Sequence, residues 1–123
     1  MRVLPNTFTS KVRGVTFVEG YPGNVLRLEE LLARQYLAGA VPGANAILIP
    51  NYLNEHDEHA VEVHVPGIGL LGHLPRDVAA RLSPALDAGE EWTARIDEVL
   101  VHPEQPNNPG IRIEVRRVMT EAA

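Results

Sequence analysis

HAVEVHVPGIGLLGHLPRDVAARLSPALDAG, residues 59–89, sets a strand, a tight turn, a second strand and a helix one after another. Ala60, Val61, Val63 and Val65 supply short, mostly branched side chains, and Glu62 and His64 take the alternate positions, the pattern of a strand with one buried face. Pro66-Gly67 turns the chain. Ile68, Leu70 and Leu71 begin a second run that ends in Gly72-His73-Leu74-Pro75-Arg76, after which Val78, Ala79, Leu82 and Leu86 recur at helical spacing. A proline inside a helix loses the bond from its own nitrogen and clashes with the preceding turn. Pro84 therefore predicts two short helices or one kinked helix, with turns at Arg76 to Leu82 and Pro84 to Ala88, Ser83 capping the second and Gly89 closing it in a left-handed conformation.

Working outward, Met1 to Asn6 reads as a lead-in broken by Pro5-Asn6. Phe8, Ser10, Val12, Gly14 and Thr16 alternate with Thr9, Lys11, Arg13, Val15 and Phe17, which predicts one long strand bent at Gly14. Gly20, Pro22 and Gly23 end it. Val25, Leu28, Leu31, Leu32 and Tyr36 then mark a helix over 25–37, capped by Asn24, ended by Gly39 and supported by Glu30 four residues before Arg34. Ala46 to Ile49 is a short apolar strand halted by Pro50. The polar run 51–59 is a turn, because Asn and Asp side chains bond their own backbone. Downstream, Trp92, Ala94, Ile96 and Val99 to Val101 form a strand, His102 to Pro109 a proline-rich loop, and Ile111, Ile113 and Val115 the last strand. The class is mainly β: six strands, short helices between strands 4 and 5, and an extra helix between strands 1 and 2.

Composition narrows the function classes. At 123 residues with 45% hydrophobic content, the chain has room for one compact core, and with only 5% aromatics that core must be aliphatic. A formal charge of −5 disfavours indiscriminate adsorption to nucleic acid and leaves room for a local basic patch. Ten of the eleven basic residues are arginine, whose planar fork suits phosphate and carboxylate, although a plain compositional bias gives the same count. With no cysteine there are no disulfides and no thiolate metal sites, which fits a reducing compartment. The N-terminus carries no signal pattern and no apolar run reaches bilayer length, so the expectation is a soluble cytoplasmic protein without membrane contact.

His56 and His59, with Asp57, Glu58 and His64 as further candidates, look at first like metal ligands. Two residues separate the histidines where HExxH has three, and no downstream ligand follows, so no metal and no cofactor is expected. No serine-histidine-acid order, phosphate-binding loop or cysteine nucleophile appears either, and no catalytic residue is assigned.

Asn54-x-x-Asp57 leading into AVEV, a glycine turn, GHLPR at 72–76 and a helix ending in DAG at 87–89 together resemble the HIRAN domain, a small module attached to some DNA helicases and nucleases and also found alone in bacteria. KVRGVTF, Lys11 to Phe17, is similar to the family's opening strand, and PGIRIEV, Pro109 to Val115, to its closing one. The resemblance covers residues 8–118, leaving 1–7 as a lead-in and 119–123 as a tail. It implies an OB-like barrel that grips the 3′ end of single-stranded DNA, in DNA repair or replication-fork processing, alongside a helicase or nuclease. By position, Phe17 matches the stacking aromatic, Asn54 and Asp57 the polar turn, His73 the histidine of the second motif and Arg76 the basic residue after it. His56 stands where the family usually has tyrosine, Glu55 replaces proline and His59 replaces asparagine. An aromatic face accepts any base, a carboxylate accepts from a sugar hydroxyl, and an arginine fork engages phosphate. If His56 and His73 face phosphate, protonation of the two rings should tighten binding as pH falls.

Each residue has a plainer reading as well. Phe17 fits a core, Asn54 and Asp57 fit a turn, and His73 fits a strand end bonded to a backbone carbonyl. Arg76 opposes the dipole at a helix start, so something else must favour it there. The competing functions are a protein-interaction or targeting domain that does not bind DNA, and a hydrolase or metal-dependent enzyme.

Overall fold

The structure is a computed structural model describing residues 4–102 and 105–119. Six antiparallel strands are joined in the order β1-β6-β5-β2-β3-β4: β1 Thr7–Lys11, β2 Ala44–Pro50, β3 Val61–Val65, β4 Gly69–His73, β5 Trp92–His102 and β6 Gln105–Arg117. Helix α1, Tyr21–Leu37, lies between β1 and β2, and helix α2, Arg76–Asp87, between β4 and β5. This is the expected mainly-β, OB-like architecture. The ends of the strand order, β1 and β4, do not pair along their lengths. They meet just past β1, where Arg13 and His73 exchange backbone hydrogen bonds of 2.7 and 2.8 Å and curl the sheet into a barrel.

The core follows the alternation of the strands. Val61, Val63 and Val65 of β3 are buried, as are Ile111, Ile113 and Val115 of β6, Ile96 of β5, Leu28 of α1 and Leu82 of α2. Nineteen buried apolar residues form this one cluster, so a single core holds both helices against the sheet.

Four expectations are corrected. The first strand stops at Lys11: Gly14 takes φ 71° and opens a 3-10 turn, Val15–Phe17, so Phe17 belongs to that turn and not to a strand. Left-handed glycine reverses the chain more sharply than the expected bend. Helix α1 starts earlier than Asn24, from left-handed Gly20 with Pro22 in its first turn, where a missing N–H costs no helical bond. Of the two forms expected around Pro84 the chain takes the single helix, α2, with Pro84 inside it. Pro84 and Ala80, the residue whose carbonyl loses its partner, both lie on the exposed face, where the lost bond costs least. Ser83, expected to cap, is instead buried. The expected loop His102 to Pro109 is strand at His102 and from Gln105 on; residues 103–104 fall outside the described residues.

Gly89 does close α2 left-handed, at φ 92°, with Glu90 N–H reaching back to the Ala85 carbonyl.

Candidate nucleic-acid interface

A β-bulge determines which way His73 points. Val63 pairs with Gly72 and His64 with Leu70, leaving Leu71 as the extra residue of β4. Strict alternation would put His73 on the same side as Leu71, in the core. With the bulge, Leu71 stays buried while His73 and Leu70 both face outward. Gly72 completes the arrangement: a β-carbon there would collide with the Arg13 carbonyl and come within 2.8 Å of Val12 Cγ1. Only glycine lets the barrel close at this point.

His73 thereby reaches a cavity of about 570 Å³, lined by Gly14, Phe17, Val18 and Glu19 on one side, Ile68, Gly69 and Leu70 on the other, and Asn24 of α1. The Asn24 side-chain amide donates to the Leu70 carbonyl at 3.2 Å, pinning α1 to β4, and Arg27 donates to Asn24 Oδ1 at 3.4 Å, bringing a cation beside the cavity. Phe17 is 92% exposed at the cavity, so its core reading does not hold.

The other four predicted residues form a separate cluster. Asn54 Oδ1 accepts from the N–H groups of His56 and Asp57, and Asp57 Oδ1 from that of His59, all within 3.0 Å. These side chains build the 51–59 turn, as their plainer reading has it. Arg76, the first residue of α2, donates to the His56 carbonyl at 2.6 Å, and its Nε lies 3.8 Å from Asp57 Oδ2. Those partners account for a cation at an unfavourable helix end. At the far end of the same helix, Tyr52 donates to Asp87, and this bond, with desolvation and the carboxylate's charge, raises the Tyr52 hydroxyl above its ordinary pKa. The turn is therefore fastened to both ends of α2.

Glu62 connects the two groups, and no motif singled it out beyond its polar place in the alternation. One carboxylate oxygen lies 3.0 Å from His64 Nε2; the other accepts from the Asn51 side chain at 3.2 Å and lies 4.0 Å from His73 Nε2. Asn51 opens the 51–59 turn, and its Oδ1 accepts from Leu53 N–H. The geometry thus runs from cavity to His73, to Glu62, to Asn51, to the turn. His59 meets Glu58 at 3.6 Å, apart from the Glu62 that His64 and His73 share. Among the described residues no three His, Cys, Asp or Glu side chains are arranged to hold a metal ion, and no helix is long and apolar enough to cross a membrane.

A family model described as HIRAN domain matches residues 6–116. Two solved structures share the fold. The crystal structure of the HIRAN domain of human HLTF superposes with a TM-score of 0.56 at 15% identity, over 90% of this chain and 76% of that one. A protein from Lactobacillus plantarum superposes with a TM-score of 0.56 at 21% identity, over 93% and 95% of the two chains. No curated protein matches the sequence.

Proposed function

The chain belongs to the HIRAN domain family, and we propose that it is a single-stranded DNA-binding module that takes up DNA 3′ ends, without catalysis of its own. The observation that carries this reading is Phe17: an aromatic ring left 92% exposed beside a cavity whose wall includes His73. Exposing such a ring gains nothing for the fold, whereas a base stacked on it recovers the apolar contact. A cavity of about 570 Å³ has the size of a small-ligand site and suits a terminal nucleotide better than the middle of a strand.

In this reading the terminal base stacks on Phe17, and His73 and Asn24 meet the sugar and its terminal group. Arg76 and His56, on the turn fastened to α2, receive the backbone further along. Asp57, whose second carboxylate oxygen lies 3.8 Å from Arg76 Nε, holds that arginine on the turn. Glu19 and Glu62 near the cavity disfavour extra negative charge, so a free 3′-hydroxyl is preferred over a 3′-phosphate. The same reading places the protein in the cytoplasm, in repair or fork processing beside a helicase or nuclease.

Fluorescence anisotropy with short oligonucleotides ending in 3′-hydroxyl, 3′-phosphate or a labelled 5′ end, at two salt concentrations, tests it. The 3′-hydroxyl strand should bind most tightly and lose affinity as salt rises, because each phosphate contact releases counterions. Equal binding of all three ends would remove end recognition. No binding at low salt would remove DNA as the ligand.

A further inference from the structure

We propose that Glu62 is the positioning residue of this interface, coupling the orientation of His73 in the cavity to the shape of the 51–59 turn. For its DNA arm the inference rests on the function proposed above; its structural arm does not. A carboxylate on the face offered to a polyanion works against binding unless it has another task. Glu62 is also not a free surface acid, since only 22% of its side chain is exposed, its oxygens are within hydrogen-bond reach of Asn51 and His64, and the His73 ring lies 4.0 Å away. Asn51 comes from the turn just past β2, His64 from β3 itself and His73 from β4. Glu62 stands across from Ile49 on one side and His73 on the other, so the row Ile49–Glu62–His73 crosses three strands on one outer face.

The oxygen near His73 is the one that accepts from Asn51. Moving it disturbs both. Asn51 in turn receives Leu53 N–H, and its carbonyl receives Asn54 N–H at 3.3 Å, so the displacement passes into the turn that carries Asp57 and Arg76's carbonyl partner. The task of Glu62 is then to keep the His73 ring and the turn in register for one strand. The titratable side chains facing it are His64 and His73.

The test compares Glu62→Gln and Glu62→Asp in the full-length chain. Nitrogen-15 spectra of the DNA-free protein should show the His64 and His73 ring signals and the Asn54, His56 and Asp57 amide signals all moving in Glu62→Gln, with melting temperature nearly unchanged. Affinity for a 3′-hydroxyl oligonucleotide should fall roughly three- to tenfold, and Glu62→Asp, which keeps the charge, should recover part of it. Ring and turn signals that stay put in Glu62→Gln overturn the coupling. So does an affinity loss that tracks melting temperature equally in both variants, which is what a merely structural role gives. Should the unaltered protein bind no single strand, the DNA reading fails while the ring and turn signals still decide the role of Glu62.

Discussion

Truncating Phe17 to alanine separates recognition from folding. The ring is 92% exposed, so the fold has less than a tenth of the side chain's burial to lose. Full burial of a phenylalanine side chain is worth about 1.5–3 kcal/mol, which puts the expected stability change at only ~0.2 kcal/mol. A core phenylalanine behaves differently, with truncation typically costing about 3–5 kcal/mol. On the binding side, one base stacked on an aromatic ring contributes roughly 1–3 kcal/mol, so Phe17→Ala should weaken single-strand binding roughly five- to a hundredfold. Gly14, whose added β-carbon would lie 4.0 Å from the Phe17 ring, stays in place, so the 3-10 turn that presents the ring is not disturbed. Thermal melting and anisotropy on the same preparation read the two quantities. A large drop in melting temperature would return Phe17 to the core, and unchanged affinity at unchanged stability would refute the stacking role.

Three further outcomes follow from the geometry. Arg76→Ala removes the donor to the His56 carbonyl and the partner of Asp57; the side chain is largely exposed, so stability should change by less than ~1 kcal/mol, while faster amide exchange in the 51–59 turn and a salt slope reduced by about one would show the lost phosphate contact. Gly72→Ala forces a methyl group against the Arg13 backbone and should destabilise the fold by about 1–3 kcal/mol in a denaturant titration; Gly43→Ala, where the obstacle is the movable end of the Arg95 side chain, should cost less. Tyr52→Phe tests the bond to Asp87 through pH: the hydroxyl's folded pKa is raised, so its stabilisation is complete below the unfolded value of about 10 and disappears as pH rises through the folded value. The melting temperature of the unaltered protein should therefore fall further than that of Tyr52→Phe above that pH.

The sequence carried the local periodicities better than the junctions between them. Val61, Val63 and Val65 alternate and are buried, and Val25, Leu28 and Leu32 recur at helical spacing and face the core. Tyr36 belonged to the same stripe by spacing, yet it is 72% exposed. Period-2 alternation ran without a break through Gly14, so nothing local distinguished a bent strand from the turn that lifts Phe17 out. Pro84 left two forms open for a related reason. Its penalty depends on whether the orphaned carbonyl faces water, which tertiary packing decides. Asn54 and Asp57 were legible as turn formers, and Arg76 as a cation needing a reason. Glu62 was not, because its contacts reach Asn51, just past β2, and His73, on β4, and leave no mark in spacing.

The single Arg13–His73 bridge makes this barrel a split ring rather than a hoop. Phe17 sits on one lip of the split, a few residues past Arg13, and His73 is itself the other lip. A guest lying between them touches both sides of the gap. Opening the split would separate the stacking ring from the histidine without unpairing any of the six strands, whereas a guest in place would clasp the ring shut. On the proposed function, recognition and ring closure would be carried by the same two lips, and an occupant would reinforce the joint that only an isolated bridge holds.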